Sequence, residues 1–148
     1  MDRQLRVIVN KPMKGSLNMG IDSAIAESVA AGETLPTLRF YSWEHPVVTV
    51  GYFQKINDTV NTDYCRKNNI EIIRRITGGG TVLHNKEITY SFITPLKNSI
   101  LPMDLLSSFK AIIDPLIKAL NDIQIDAVFK PVNDIIVNKK KISGSAQT

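Results

Sequence analysis

The chain has 148 residues, 43% of them hydrophobic and 22% charged, with a formal net charge of +4, enough apolar material for one folded domain with a sizeable core. Its single cysteine excludes an internal disulfide or a thiolate metal cluster. No apolar run approaches membrane-spanning length, and Val7-Ile8-Val9 before Asn10-Lys11-Pro12 is too short for a secretory core. The mild charge is spread along the chain; it suits attraction of a nucleotide or an acidic protein surface and is weak support for nucleic acid. A soluble, cytoplasmic protein without nucleic-acid or membrane partners is expected.

In chain order, Leu5 to Val9 reads as a strand and Asn18 to Ala31 as an amphipathic helix, with Met19, Ala26 and Val29 at helical spacing and Gly32 as its stop. Leu38 to Tyr41 and Val47 to Val50 read as strands around a Glu44-His45-Pro46 turn, where His45 is a solvated turn residue. Asn61 to Asn68 reads as a short helix carrying Cys65, before a strand at Ile70 to Ile73. Thr81-Val82-Leu83 and Ile88 to Ile93 are β-rich, and Leu105 to Leu120 reads as a second amphipathic helix. In that helix Phe109, Ile112, Ile113, Leu116 and Leu120 take core spacing, Met103-Asp104 lie at the start, and Pro115 is expected to kink it. The pattern predicts a mixed α+β domain with a largely antiparallel sheet and packing helices.

Two blocks stand out chemically. Arg74-Arg75-Ile76-Thr77-Gly78-Gly79-Gly80-Thr81-Val82-Leu83-His84 runs two arginines into three glycines. Glycines let a ligand lie against backbone N–H groups, and a guanidinium offers a planar fork to carboxylate or phosphate. A bare Gly-Gly-Gly reads first as a flexible surface turn; the flanking strands shift that balance and position this one. Taken alone, His84 fits a hydrogen-bonded structural histidine as well as a site residue.

The second block is Asn133-Asp134-Ile135-Ile136-Val137-Asn138-Lys139-Lys140-Lys141-Ile142-Ser143-Gly144-Ser145-Ala146-Gln147. It predicts a hairpin with its turn at Asn138-Lys139. Strict alternation puts Lys140 with Ile142 on one face and Lys141 with Ser143 on the other. Lys139 and Lys140 read as a solvated charge cluster. Lys141 is set apart by the small residues Ser143, Gly144, Ser145 and Ala146, beside which a ligand has room to approach.

Together these blocks resemble the lipoate-protein ligase family, within the wider group of lipoate ligases, octanoyltransferases and biotin ligases. The likeness rests on residues 74 to 84, Tyr90-Ser91-Phe92, and Asn133-Asp134-Ile135 with Lys141-Ile142-Ser143-Gly144-Ser145-Ala146. Leu17-Asn18-Met19-Gly20-Ile21-Asp22, Leu38-Arg39-Phe40-Tyr41-Ser42-Trp43 and Val50-Gly51-Tyr52-Phe53-Gln54 add weaker support. The blocks follow the family's order along nearly the whole chain.

The resemblance implies a class II biotin/lipoate ligase-like catalytic domain. It implies that ATP with Mg²⁺ activates lipoate as lipoyl-AMP, and that the acyl group then passes to a lysine of a lipoyl domain. Those domains belong to 2-oxoacid dehydrogenase complexes or are the glycine cleavage H protein. Arg75 would face the carboxylate or α-phosphate, with Arg74 pointing away. Thr77, Gly78, Gly79, Gly80, Thr81, Val82 and Leu83 would contact nucleotide and acyl chain, and His84 would close the pocket. Lys141 would be the catalytic ammonium, Ser143 and Gly144 would lie beside the ligand, and Asn133 and Asp134 near the nucleotide, Asp134 as an indirect Mg²⁺ ligand. Such a site works by positioning and electrostatics and needs no enzyme nucleophile.

Two readings stand beside the ligase: an octanoyltransferase taking its acyl group from acyl carrier protein without ATP, and a lipoate-binding fragment without turnover. Transferases that use a cysteine place it either shortly before the Asn-Asp block, where Asp126 to Pro131 holds none, or well after the lysine. Cys65 lies outside every block and reads as a structural residue. The chain departs from the family in stopping directly after the lysine block, so an incomplete catalytic domain is expected, with any accessory domain supplied separately. It departs also at Lys139, where the family often has glycine; lysine resists positive φ, which points to a longer turn or one of another type.

Overall fold

The computed structural model describes residues 4–96 and 100–148. These divide into two compact units, residues 4–96 and 100–147. The first holds, in order, β1 (Arg6–Val9), α1 (Gly15–Ala30), β2 (Thr37–Tyr41), β3 (Val47–Val50), α2 (Ile56–Thr59), α3 (Thr62–Lys67), β4 (Glu71–Arg74), β5 (Val82–His84) and β6 (Thr89–Ile93). The second holds α4 (Leu105–Asp122), β7 (Ala127–Lys130), β8 (Asp134–Val137) and β9 (Lys140–Gly144).

The strands, expected in one largely antiparallel sheet, are divided among three: β1-β2-β6, β4-β3-β5 and β7-β8-β9. Two pairs, β1–β2 and β3–β4, are parallel. The cause is local: α1 joins the first pair and α2 with α3 joins the second, and a helical crossover returns the chain in its original direction. As the central strand of its sheet, β3 is buried on both faces, which accounts for its uninterrupted Val47-Val48-Thr49-Val50. Val47 packs with Tyr41 and Trp43, while Val48 and Val50 pack with Cys65.

α1 begins three residues before the predicted Asn18, at Gly15. Its first turn is satisfied by a residue distant in sequence: the backbone N–H of Ser16 donates to Glu71 Oε1 of β4 at 3.2 Å. Gly15 is required by close packing, since a Cβ there would lie 2.6 Å from Ile73 Cδ1. Gly32, with φ of 74°, ends the helix as expected. Asn18, expected as the helix start, is instead fully buried within a polar cluster.

That cluster centres on Arg39, whose side chain is 0% exposed. Arg39 Nη1 donates to Asp22 Oδ1 (2.8 Å) and the Asn18 carbonyl, Nη2 to Asn18 Oδ1 (2.7 Å), and Nε to Asn10 Oδ1 (2.7 Å). Asp22 also accepts from Tyr41 Oη and Ser91 Oγ. Each charge therefore has a partner, as a buried ion requires. The motif residues Asn18, Asp22, Arg39 and Ser91 thus clamp α1 to β2 and β6.

In the second unit, Asp104 caps α4 by accepting from Ser107 N–H at 2.9 Å. This holds the Asp104 carboxyl below its ordinary value. Pro115 lies inside α4, which continues to Asp122. Phe109, Ile113, Leu116, Ile117 and Leu120 pack on Ala127, Phe129, Ile135 and Val137, each fully buried aliphatic side chain contributing about 2 kcal/mol. β7, read in the sequence only as a lead-in to Asn133, supplies the outer strand of the three-stranded sheet.

Two corrections concern the hairpin. Its turn has only two residues, Asn138 and Lys139, with φ of 48° and 64°. Lys139 therefore takes the left-handed conformation itself, because the twist of the paired strands selects a turn with positive φ at both central positions. The strict alternation also fails. Asp134 opposes Gly144 and Ile135 opposes Ser143, but Ile136 opposes Lys141 and Val137 opposes Lys140, which leaves Ile142 as an extra residue in a β-bulge. Cross-strand partners share a face, so Lys141 lies with Asp134, Ile136 and Gly144, while Ser143 lies on the opposite face with Ile135.

Candidate functional site

In the first unit the candidate residues gather around Arg75. Its five N–H donors all have partners: Nε points to Thr77 Oγ1 (3.2 Å), Nη1 to the carbonyl and hydroxyl of Thr49 (3.2 and 3.0 Å), and Nη2 to the carbonyls of Gly78 (2.8 Å) and Gly80 (2.7 Å). Burial pushes its pKa down from the ordinary arginine value. Arg75 here binds the loop itself rather than presenting an open fork. Arg74 points elsewhere, as expected, donating from Nη1 to the carbonyls of Gly51, Tyr52 and Gln54.

The carbonyl of Gly79 turns toward Gly51, 2.0 Å from where a Cβ of residue 51 would stand. Gly79 has φ of 90°, which its missing side chain permits. All three glycine carbonyls therefore face the protein. In a planar trans peptide the N–H lies opposite the C=O, so the N–H groups of Gly79, Gly80 and Thr81 are turned away from Arg75 and Gly51. This is a backbone donor array whose aim is set by one guanidinium and one missing Cβ. Thr77 supports it through its carbonyl, which accepts from Tyr52 N–H at 3.0 Å, and Thr81 donates to Gln54 Oε1 at 3.1 Å. Val82 and Leu83 on the edge strand β5 are exposed, at 43% and 62%.

His84 stacks on Trp43, centroids 4.1 Å apart. Its Nδ1 lies 2.5 Å from Glu87 Oε1 and its Nε2 2.8 Å from Thr49 Oγ1. Burial, the largest influence, pushes its pKa below the ordinary histidine value against the opposing pull of Glu87. The ring is thus neutral near pH 7, with its proton on Nδ1 toward the carboxylate and a lone pair on Nε2 toward the Thr49 hydroxyl.

The second unit holds the candidate lysine. Lys141 Nζ lies 2.7 Å from Asp134 Oδ1, the lysine side chain 58% exposed and the aspartate 19%. Gly144 is the seat on which the lysine lies, since a Cβ there would stand 2.7 Å from Nζ and 2.8 Å from Cε. Asn133 ties the approach to this seat, its Nδ2 donating to the Ser145 carbonyl and its own carbonyl accepting from Ser145 N–H at 3.0 Å. Ser143, on the other face, does not join this group.

Among the described residues no three His, Cys, Asp or Glu side chains gather as a metal site. Asp134, already facing an ammonium, does not by itself fit a protein-held Mg²⁺. Also among the described residues, no helix is long and apolar enough to cross a membrane.

Sequence reasoning missed Thr49, Glu87 and the role of Gly51. Glu87 carried a faint signal in standing three residues after His84, and Gly51 in lying within the Val50–Gln54 block. Thr49 carried none, being one residue of a β-branched strand.

Comparison with known proteins matches residues 14–148 to the lipoyl protein ligase A/B catalytic domain. Octanoyltransferase LipM of Clostridioides difficile (strain 630) is 38% identical, over 98% of this chain and 60% of its own length. Among solved structures, a bi-partite lipoate protein ligase from Thermoplasma acidophilum, described with its E2 lipoyl domain, has a TM-score of 0.85 at 31% identity, covering 98% of this chain and 56% of that one. A lipoate-protein ligase A bound with ATP has a TM-score of 0.82 at 31% identity, covering 95% and 60%. The chain spans about 60% of the length of the LipM relative it matches. The glycine loop on its arginine, the lysine on its glycine seat and these likenesses together place the chain in the lipoyl protein ligase A/B catalytic domain family, with that family's α+β fold of mixed sheets.

Proposed function

We propose that this chain provides the acyl-transfer core that delivers an octanoyl group from an acyl carrier protein thioester to the lysine of a lipoyl domain. The likeness to LipM supports octanoyl as the acyl group. The observation that carries the chemistry is the Lys141 ammonium held on Gly144 by Asp134. The amine of the acceptor lysine attacks the acyl carbonyl, and the C–N bond forms as charge collects on oxygen. The C–S bond then breaks, the thiolate leaves and takes up a proton, and the amide nitrogen loses one. Lys141 offsets the oxyanion and the leaving group. Considered separately, the loop N–H groups of the first unit are donors of the kind that bind acyl or phosphate oxygens. The acceptors are lipoyl domains of 2-oxoacid dehydrogenase complexes or the H protein, and the likeness to a bi-partite lipoate protein ligase supports a separate accessory domain or subunit as a further partner.

One observation favours a second reading, ATP-dependent lipoate ligation. Cys65, the chain's cysteine, is buried in the core of the first unit with Val48 and Val50, so this thiol does not stand ready for an acyl-enzyme. In that reading the same lysine offsets charge as lipoate attacks ATP and as lipoyl-AMP is cleaved. Pairing of Arg75 with the carboxylate or α-phosphate then requires Nη2 to leave the carbonyls of Gly78 and Gly80.

The test incubates the chain with a lipoyl domain and either octanoyl-acyl carrier protein without ATP, or lipoate with ATP and Mg²⁺. The acylated domain is read by mass and pyrophosphate release is followed. ATP-independent acylation is expected; acylation only with pyrophosphate release would establish the ligase instead, and neither product would overturn both.

A further inference from the structure

We propose that Glu87 and Thr49 are positioning residues which, through His84, fix the Arg75 guanidinium and with it the glycine loop, and that a second proton on His84 releases this hold. Four side chains form a continuous chain: Glu87 Oε1 to His84 Nδ1 (2.5 Å), His84 Nε2 to Thr49 Oγ1 (2.8 Å), and Thr49 Oγ1 to Arg75 Nη1 (3.0 Å). The direction of each bond follows from the donors available. Arg75 has only donors and Glu87 only acceptors, so His84 gives its Nδ1 proton to the carboxylate and Thr49 receives from Arg75. The one hydroxyl proton of Thr49 is then committed to His84 Nε2. Thr49 is 1% exposed, which denies water the chance to replace either partner.

A proton added at Nε2 breaks this order. His84 then aims a donor at the same oxygen that Arg75 donates to, the Thr49 proton loses its acceptor, and two cations face one hydroxyl across a poorly hydrated gap. The charged groups facing His84 among the described residues are Glu87 and Arg75; Trp43 stacks on the ring and Tyr41 packs edge-on against Trp43. Arg75 Nη2 in turn holds the carbonyls of Gly78 and Gly80, so a shift of the guanidinium re-aims the loop N–H groups. The consequence for acyl transfer rests on the function proposed above; the coupling itself does not.

The test is an NMR titration of the full chain without substrate, from about pH 8 to about pH 5, following the His84 ring nitrogens and the Arg75 Nε–H. Both sets of signals are expected to move with one midpoint below the ordinary histidine value. In Glu87→Gln that midpoint moves lower, because the carboxylate favours the protonated ring. In Thr49→Val, His84 still titrates and Arg75 no longer follows. An Arg75 signal that stays flat while wild-type His84 titrates would overturn the coupling, as would one that still follows in Thr49→Val. Should Thr49→Val fail to fold, the wild-type titration decides alone. Since no substrate is used, failure of acyl transfer would count against the proposed function without touching this result.

Discussion

The carbonyl oxygen of Gly79 occupies the space a side chain on residue 51 would need, 2.0 Å from the position of its Cβ. The contact is backbone on both sides, so neither partner can yield by changing rotamer. Gly51→Ala is expected to rotate the Gly79 peptide, cost about 1–3 kcal/mol as an overpacked site, and lower acyl transfer at least about 100-fold as the loop donors lose their aim. Thermal unfolding and transfer rate measured on one preparation check this; an unchanged rate would show that the loop orientation does not matter.

Lys141→Ala should leave thermal stability nearly unchanged, because the side chain is more than half exposed. Acyl transfer should fall by about 10²–10³ with the loss of one preorganised positive charge. Gly144→Ala tests the seat separately. Its Cβ would displace the ammonium from Asp134 while keeping the lysine, so a loss of about tenfold is expected, smaller than that of Lys141→Ala. Equal losses from the two substitutions would mean that the position of the ammonium matters as much as its presence.

Arg39→Met tests the buried cluster. It removes a fully buried cation and leaves the Asp22 carboxylate without its charge partner. A cost of about 3 kcal/mol or more is expected, which for a unit of this size is a fall in Tm on the order of 15 °C. Calorimetry on wild type and variant is the check; a loss under a few degrees would place the stabilisation in the surrounding packing.

The pKa shifts give a stability profile with two edges. His84 takes a proton less readily in the fold than its ordinary value of 6.5, so the unfolded chain binds more protons and stability is lost as pH falls below 6.5. Tyr41 is shifted the other way, above its ordinary 10.0, first by burial and then by the Asp22 charge. The unfolded chain therefore releases that proton first, and stability is lost as pH rises above 10. Denaturant unfolding across this range should show both edges. His84→Gln should flatten the acid edge and Tyr41→Phe the alkaline one.

Cys65→Ala is expected to preserve acyl transfer, because the thiol is buried among Val48, Val50 and their neighbours. Its cost should appear as a modest loss of stability from a small cavity. Abolished transfer in a folded variant would revive a cysteine nucleophile.

Periodicity and residue chemistry by themselves determined most of the element order, the α+β class, the glycine loop between strands and the isolation of one lysine near the chain's last strand. These are local properties: spacing along a helix or strand, and what a side chain can donate or accept. Tertiary structure decided the rest, because it depends on partners distant in sequence. The cap of α1 comes from Glu71, so no signal beside Gly15 marks the helix start. The bulge at Ile142 reverses the side-chain alternation and carries Ser143 away from Lys141. Arg75 reads in sequence as an open fork for an anion, yet in the fold its donors turn to Thr49, Thr77 and the loop carbonyls. Hydrogen-bonding groups taken from water must find partners wherever the fold supplies them, and a one-dimensional pattern does not record where those partners stand.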